Sequence, residues 1–146
     1  MPTRTARTAW NGGLNDGSGQ VELSSSKIGT YDVSFPKRAA ESADGATSPE
    51  ELLAAAHSAC YAMQFSAVLG EAGGTIEALD VKADVTLGPD PAGGFKLTGI
   101  ALTVSGEVTG IDEATFLRAA EDAKATCPVS KALTGVDITL DATFEQ

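Results

Sequence analysis

Basic side chains are scarce in this 146-residue sequence, which has ten Lys and Arg against twenty Asp and Glu and a formal net charge of −10 at pH 7. An acidic chain repels the phosphates of nucleic acids and the surface of anionic membranes. The sequence also contains no basic cluster that could bind either of them. Nucleic acids and membranes are therefore excluded as expected partners.

Cysteine and histidine are scarcer still, with two cysteines, Cys60 and Cys127, and one histidine, His57. No CxxC or HxxxH spacing occurs, and these three side chains could hold a metal only with a carboxylate or water as a further ligand. We therefore expect no metal site. A chain of this length can bury about 70% of the surface that its unfolded form exposes. We expect a single domain over residues 1–146 that needs no disulfide to fold.

The N-terminal segment MPTRTARTAW lacks the apolar stretch of a secretion signal. The expected location is a reducing cytoplasm, where both cysteines rest as thiols. The longest apolar run, from Leu52 to Leu69, is interrupted by His57, Ser58, Gln64 and Ser66. We interpret it as a buried core helix and not as a membrane span.

Apolar residues that alternate with polar ones predict several short strands. Two lie around Val21 and Leu23 and around Tyr31, Val33 and Phe35, and the segment TARTAW is a further candidate. Alternating runs over residues 79–87 and 100–104 flank the turn-rich segment GPDPAGGFKLTG and are expected to form an antiparallel pair. A last strand is predicted over residues 136–144.

Helix boundaries are marked by capping residues. Ser48 at the N-cap, Pro49 at the first helical position and Glu51 three residues after the cap form a capping box, and the helix should run to about Leu69. Asp112 predicts the cap of a second helix that ends near residue 125. The segment TCPVSKALTG predicts one further short helical turn, with its proline at the start.

The order strands, helix, strands, helix, strand predicts an α+β fold with mainly antiparallel sheets packed around two main helices. The first of these helices is apolar nearly all round, which is typical of a central, buried helix. One small sheet covers only one side of such a helix. We therefore expect a second protomer to cover the other side.

The candidate reactive groups lie on these helices. Cys60 is in mid-helix, where a free cysteine is usually buried and inert, although its small neighbours leave room for a substrate. Cys127 precedes Pro128 at a helix start, where free N–H groups favour a thiolate but where a small cap residue is also common. His57 shares a helix face with Cys60, an arrangement that allows a nucleophile pair but is more typical of a core histidine. Glu50 is separated from Cys60 by about 15 Å of helical rise.

Four segments follow one another between about residues 8 and 144: SPEELLAAAHSACYAMQFSAVLGEAG, VTGID, AKATCPVSKAL and ITLDATF. Together they resemble the OsmC/Ohr family of thiol-dependent hydroperoxide reductases. The segments FPKRAAES and HSAC make the chain more similar to the OsmC branch, the osmotically inducible protein C group, than to the Ohr branch.

This resemblance implies a cysteine-based peroxidase for organic hydroperoxides that works as an intertwined homodimer without a metal or prosthetic group. It implies that Cys60 is the peroxidatic cysteine and that Cys127 resolves it through an intramolecular disulfide. It further implies that Arg38, with Lys37 as the alternative, orients the thiolate and that Glu50 is the carboxylate partner of this arginine. An external dithiol, often a lipoyl group on a protein in this family, must reduce the disulfide.

Two hypotheses combine the resemblance with the helix geometry. Because Glu50 cannot reach Cys60 of its own straight helix, we expect Arg38 and Glu50 of one protomer to complete the site around Cys60 and Cys127 of the other. The second hypothesis concerns a pocket that favours organic over inorganic peroxides by burying an alkyl tail. Its candidate lining residues are Leu53, Tyr61 and Phe65, with His57 packing or hydrogen bonding beside them.

Two other functions stay open from the residues alone. A hydrolase or transferase could use Cys60 with His57 as its base, and such an enzyme would not need Cys127. A small-molecule-binding or stress-related protein on the same fold would keep the cysteines for structure only. That protein would have no evident use for Arg38 and Glu50 as well.

Overall fold

The computed structural model describes residues 1–145, and the chain divides into two compact units, Met1–Leu52 and Leu53–Gln146. The first unit is small and built on one sheet, and the second contains the main hydrophobic core. The single domain expected over residues 1–146 stays a prediction.

The first unit contains a three-stranded antiparallel sheet in the order β1-β2-β3. Its strands are β1 (Arg7–Asn11), β2 (Ser18–Glu22) and β3 (Thr30–Val33). All three lie where the alternation predicts them, including the one in TARTAW. Leu23, which we expected in the second strand, follows one residue after its end.

The third strand ends earlier than predicted, because Phe35 is the first residue of a short helix, α1 (Phe35–Ala39). Ser34 has extended backbone angles, φ −154° and ψ 156°, and its hydroxyl accepts a hydrogen bond from the Lys37 backbone N–H. Pro36 lies in the first turn, where its fixed φ suits a helix and its missing N–H costs nothing. The capping chemistry therefore outweighs the alternation that predicted a strand at Phe35.

The long helix α2 (Pro49–Glu71) begins in the first unit, and most of it belongs to the second. The Ser48 hydroxyl accepts a hydrogen bond from the Glu51 backbone N–H at 3.1 Å, as the capping box predicts. The Glu51 carboxylate accepts a hydrogen bond from the Thr47 hydroxyl at 2.6 Å. The predicted start of this helix is confirmed.

The second unit contains a sheet in the order β4-β5-β6. Strands β4 (Thr75–Pro89) and β5 (Phe95–Thr109) form the expected antiparallel pair, whereas β6 (Ile138–Glu145) runs parallel to β5. A parallel neighbour requires a long connection. Here α3 (Glu113–Thr126) and α4 (Pro128–Ala132) supply it.

Helix α3 begins as predicted, because the Asp112 carboxylate accepts a hydrogen bond from the Thr115 backbone N–H at 2.9 Å. The buried side of α3 consists of four residues at helical spacing, Phe116, Ala119, Ala120 and Ala123. This helix lies against β6 and α4 within the second unit. Alanines on its buried side allow close packing.

One stripe of residues along α2 packs in the hydrophobic core of the second unit, together with the buried side of α3. His57, Tyr61, Phe65 and Leu69 recur every fourth residue, and each is fully buried. Met63, on another side of the helix, is 72% exposed. The helix is long and apolar enough to cross a membrane, but its buried stripe packs in the core of the second unit. The second protomer expected over its other side stays a prediction.

Aromatic rings hold this core together. The ring centroids of Phe65 and Phe116 are 5.2 Å apart, and those of Phe116 and Phe144 are 5.0 Å apart. Gly106 of β5 makes room for this cluster, since a Cβ at that position would lie 2.8 Å from the ring of Phe116. The α+β architecture with mainly antiparallel sheets is confirmed.

Candidate active site

The two cysteines, which are 67 positions apart in the sequence, meet in the second unit with their sulfur atoms 3.2 Å apart. Both are free thiols; Cys127 is fully buried and Cys60 is partly exposed. A disulfide needs the sulfurs at about 2.05 Å. A small movement of one side chain is therefore enough to join them.

Local sequence explains why the thiols face each other. Cys60 lies one turn after His57 on α2, beside the buried stripe of that helix. Cys127 ends α3, where its backbone N–H donates to the Ala123 carbonyl at 2.8 Å, and it is also the N-cap of α4. Pro128 follows and starts the new helix. The chain thus changes direction at the cysteine, and this turn brings Cys127 to the side of α2.

The surroundings of the two thiols affect them in opposite directions. Burial raises the pKa of Cys60, and the contact with Cys127 raises it further, although a hydrogen bond from the Val129 backbone lowers it. Burial alone would also raise the pKa of Cys127. Hydrogen bonds from the Ser130 backbone, from Cys60 and from the Ser130 hydroxyl outweigh burial and hold that pKa below its usual value. Within this unit, Cys127 is therefore the more acidic thiol.

His57 is buried beside the cysteines, and its Nε2 lies 2.7 Å from the hydroxyl oxygen of Ser130 on α4. Its other ring nitrogen, Nδ1, is buried without a hydrogen-bond partner among residues 1–145. Burial lowers the pKa of His57. The ring therefore stays neutral near pH 7, and its hydrogen-bond partner within the described chain is the Ser130 hydroxyl.

The first unit contains a strong ion pair between Arg38 of α1 and Glu50 in the first turn of α2. The Arg38 Nε donates to both carboxylate oxygens at 3.0 and 3.1 Å, and Nη2 donates to one of them at 2.7 Å. Glu50 is buried, and about a third of the Arg38 side chain is exposed. Such a paired fork fixes the direction of the guanidinium. Lys37, the alternative to Arg38, forms an exposed ion pair with Asp44.

A cavity of about 300 Å³ lies beside this ion pair, wholly within the first unit. Arg38 forms part of its wall, and the rest is mainly apolar. The apolar lining includes Trp10, Leu14, Val33 and Phe35. The sequence does not predict this cavity, because its lining residues lie on different elements of the first unit.

The structure thus brings the candidate residues together in two groups, Cys60 with Cys127 in one unit and Arg38 with Glu50 in the other.

Of the pocket candidates, Tyr61 and Phe65 are fully buried in the core, and Tyr61 donates a hydrogen bond to the Ala120 carbonyl. Leu53 is half-buried. Sequence reasoning missed Ser130, whose only signal is its position in the segment CPVS.

In this α+β fold, a cysteine on a long helix contacts a second cysteine at a helix junction. The chain therefore has the paired thiols of a dithiol redox protein.

A sequence profile of the OsmC-like protein family matches residues 42–141. The chain is 42% identical over 132 residues to peroxiredoxin OsmC of Escherichia coli (strain K12), and the match covers 90% of each chain. It is 34% identical over 144 residues to the organic hydroperoxide resistance protein OhrA of Bacillus subtilis (strain 168), with 97% and 96% covered.

Solved structures agree with these relatives. The structure of the organic hydroperoxide resistance protein OhrB of Bacillus subtilis has a TM-score of 0.74 and 28% identity, covering 95% of this chain and 98% of that one. An organic hydroperoxide resistance protein from Elizabethkingia anophelis has a TM-score of 0.78 and 26% identity, covering 99% and 98%. The chain belongs to the OsmC-like protein family, and its higher identity to peroxiredoxin OsmC agrees with the expected branch.

Proposed function

We propose that this protein is a thiol-dependent peroxidase that reduces organic hydroperoxides to alcohols. The observation that carries the proposal is the contact of 3.2 Å between the Cys60 and Cys127 sulfurs. The names of the relatives, a peroxiredoxin and organic hydroperoxide resistance proteins, support a peroxide-reducing oxidoreductase with a role in stress response. Partly exposed Cys60 is the peroxidatic residue, and buried Cys127 is the resolving one.

The proposed reaction has two steps. The Cys60 thiolate attacks the terminal oxygen of the hydroperoxide, the O–O bond breaks, and the departing alkoxide takes a proton to become the alcohol. Cys60 is oxidised to a sulfenic acid. Cys127 then attacks the Cys60 sulfur, the S–O bond breaks, and a disulfide and water result. An external dithiol reduces the disulfide and completes the cycle.

The first step requires a cation beside Cys60, because a thiolate is the nucleophile and burial disfavours it. Among residues 1–145, no cation contributes to the pKa of Cys60, which lies above its ordinary value. Arg38 is partly exposed and held by Glu50, so its free edge is available to a neighbouring chain. We therefore keep the hypothesis that Arg38 and Glu50 of one protomer complete the site around the cysteines of the other.

The apolar cavity beside Arg38 supports a preference for organic over inorganic peroxides as substrates. Burial of an alkyl tail stabilises binding by about 0.8 kcal/mol per CH₂ group. A guanidinium in the same wall can steady the charge that develops on the departing alkoxide. We expect a higher kcat/KM for cumene hydroperoxide than for hydrogen peroxide. Comparable values for the two would contradict the assignment of this cavity.

The enzyme acts as a homodimer in the cytoplasm, uses no metal or prosthetic group, and depends on a dithiol reductant such as a lipoyl protein. A binding protein with structural cysteines is the alternative, and it should consume no hydroperoxide. A hydrolase with His57 as base is less well supported, because His57 Nε2 contacts Ser130 and its Nδ1 has no partner within the described chain.

Thiol mapping in three proteins tests the proposed roles. After treatment with cumene hydroperoxide, wild type should contain the Cys60–Cys127 disulfide, and Cys127→Ser should contain sulfenic acid or higher oxides at Cys60. Cys60→Ser should react little. Rapid oxidation of Cys127 in the Cys60→Ser protein would reverse the assignment of the two roles.

Mixed dimers test the shared site. Cys60→Ser and Arg38→Met proteins are assayed separately and after they are mixed and allowed to exchange subunits. If Arg38 acts across the dimer, a mixed dimer regains one intact site, with Arg38 from one chain and Cys60 from the other. The mixture should then be more active than the sum of its parts. Activity equal to that sum, despite confirmed exchange, would show that Arg38 acts within its own chain.

A further inference from the structure

Two side-chain contacts join α2 to the segment that begins at Cys127. The two contacts are one helical turn apart on α2 and also one turn apart on that segment. His57 contacts Ser130 at 2.7 Å, and Cys60 contacts Cys127 at 3.2 Å. The spacing of three residues, 57 to 60 and 127 to 130, puts both members of each pair on the same side of their element. The contact of His57 with Ser130 therefore lies next to the contact of Cys60 with Cys127, between the same two elements.

The hydrogens of this cluster can be assigned from its partners. Ser130 lies one helical turn after Cys127, and its hydroxyl favours the thiolate by lowering the pKa of the Cys127 thiol, so we assign the hydroxyl hydrogen to the side of the sulfur. The Ser130 oxygen can then accept a hydrogen from His57 Nε2. This assignment leaves Nδ1 with a lone pair and no proton, so the unpartnered buried atom is an acceptor. The result is a chain of donors from His57 through Ser130 to Cys127.

We propose that His57 and Ser130 are positioning residues for the resolving step, which hold the Cys127 thiolate in line with the Cys60 sulfur. This inference rests on the proposed peroxidase function and assigns a task to two residues outside the cysteines and the arginine. The contact with Ser130 fixes the turn at Cys127, and the hydroxyl of Ser130 donates to its sulfur. His57 acts only through Ser130.

The step that these residues assist begins with Cys60 as a sulfenic acid. The Cys127 thiolate attacks the Cys60 sulfur, the S–S bond forms and the S–O bond breaks. The Cys127 sulfur is oxidised as the Cys60 sulfur is reduced. The hydroxide that leaves and the proton that Cys127 lost on ionising together form one water. No further oxidant or reductant is required for this step.

Two other titratable groups act on Cys127 or beside it. Cys60 faces it directly, and Tyr61 on the same helix has its pKa raised by burial, by Glu121 and by Cys127. Both groups remain unchanged when His57 or Ser130 is substituted. A shift in the pH profile of disulfide formation in such a variant therefore results from the loss of the His57 or Ser130 side chain.

Rapid-quench kinetics separate the two chemical steps in the full-length reduced protein. Samples treated with cumene hydroperoxide are quenched with a thiol alkylator and a sulfenic-acid reagent, and each species is counted by mass spectrometry. In Ser130→Ala and His57→Leu, Cys60 oxidation should keep its wild-type rate. Disulfide formation should slow about tenfold, the size typical for loss of a hydrogen bond to a charged group. Its pH profile should also move to higher pH.

Conservative variants and a matched control complete the test. Ser130→Thr keeps the hydroxyl and His57→Gln keeps an amide donor, so both should recover much of the rate of disulfide formation. The control is Gln64→Ala, which removes a hydrogen bond of 2.9 Å from α2 to Thr126, next to Cys127 but outside the donor chain. It should leave both steps unchanged.

Three results would overturn the inference. One is a wild-type rate of disulfide formation in Ser130→Ala, which is the decisive variant if His57→Leu does not fold. Another is an equal slowing of both steps, and the third is an equal effect of Gln64→Ala. A wild-type protein that loses no thiols to hydroperoxide is a different outcome, because it removes the proposed function itself.

Discussion

The ion pair between Arg38 and Glu50 should contribute more to stability than its neighbour between Lys37 and Asp44. The two cations are adjacent on α1, but Glu50 is buried, whereas the side chains of Lys37 and Asp44 are 40% and 76% exposed. Arg38→Met and Lys37→Met each remove one cation and keep an unbranched apolar side chain. The pair of variants therefore compares a buried carboxylate with an exposed one.

The expected magnitude follows from burial. Removal of one partner from a fully buried ion pair costs about 3–5 kcal/mol, because it leaves an uncompensated charge. The Arg38 side chain is 32% exposed, so solvent already screens part of the interaction. We expect a loss of about 2 kcal/mol in the free energy of unfolding for Arg38→Met. In a chain of this length that corresponds to a Tm lower by about 6 °C.

Thermal unfolding of the reduced proteins at neutral pH, followed by far-ultraviolet circular dichroism, measures this difference. Lys37→Met should melt close to wild type, since exposed ion pairs contribute little. Arg38→Lys should fall between wild type and Arg38→Met, because it keeps the charge but not the fork. If Arg38→Met melts at the wild-type Tm, or if Lys37→Met lowers the Tm as much as Arg38→Met does, burial of Glu50 does not strengthen its ion pair.

Further predictions concern the second unit. In Gly106→Ala the new Cβ would lie 2.8 Å from the Phe116 ring, so we expect a loss of about 1–3 kcal/mol in urea unfolding. In Gly99→Ala, on the same strand, the new Cβ would only make an ordinary contact of 4.0 Å with the Asp137 carbonyl oxygen, so this variant should not be destabilised; equal losses in the two variants would contradict this packing. Hydrogen bonds from Thr115 hold the pKa of the Asp112 carboxyl below 3.8, so the stability that it adds is complete above pH 3.8 and is lost at lower pH. The Tm advantage of wild type over Asp112→Ala should therefore shrink in acid, and a constant advantage would count against the cap.

The sequence predicts local structure well where capping chemistry and periodicity agree. Ser48 and Asp112 mark the starts of the two main helices, and alternation identifies the hairpin of β4 and β5. The predicted strand is wrong at Phe35, because the alternation of apolar and polar residues continues past Ser34, the N-cap of α1. Ser34 and Pro36 carry the signal for the helix that begins there. Capping chemistry outweighs periodicity at this position.

The site was less predictable from the residues themselves, because its contacts join distant parts of the chain. Nothing in the spacing of Cys60 and Cys127 indicates that their sulfurs meet, and only the family resemblance suggested a pair. The contact of His57 with Ser130 spans 73 positions and could not be foreseen. The apolar cavity is also assembled from several elements, so no single segment reveals it.

In the proposed function, Cys60 and Cys127 form a redox pair that one hydroperoxide molecule oxidises. The most direct measurement is a titration of reduced wild-type protein with cumene hydroperoxide, with free thiols counted after each addition and the products mapped by mass spectrometry. We predict that one equivalent removes both thiols of a chain and yields a single intramolecular disulfide between residues 60 and 127. Thiols that persist in excess hydroperoxide, or disulfides only between chains, would contradict it.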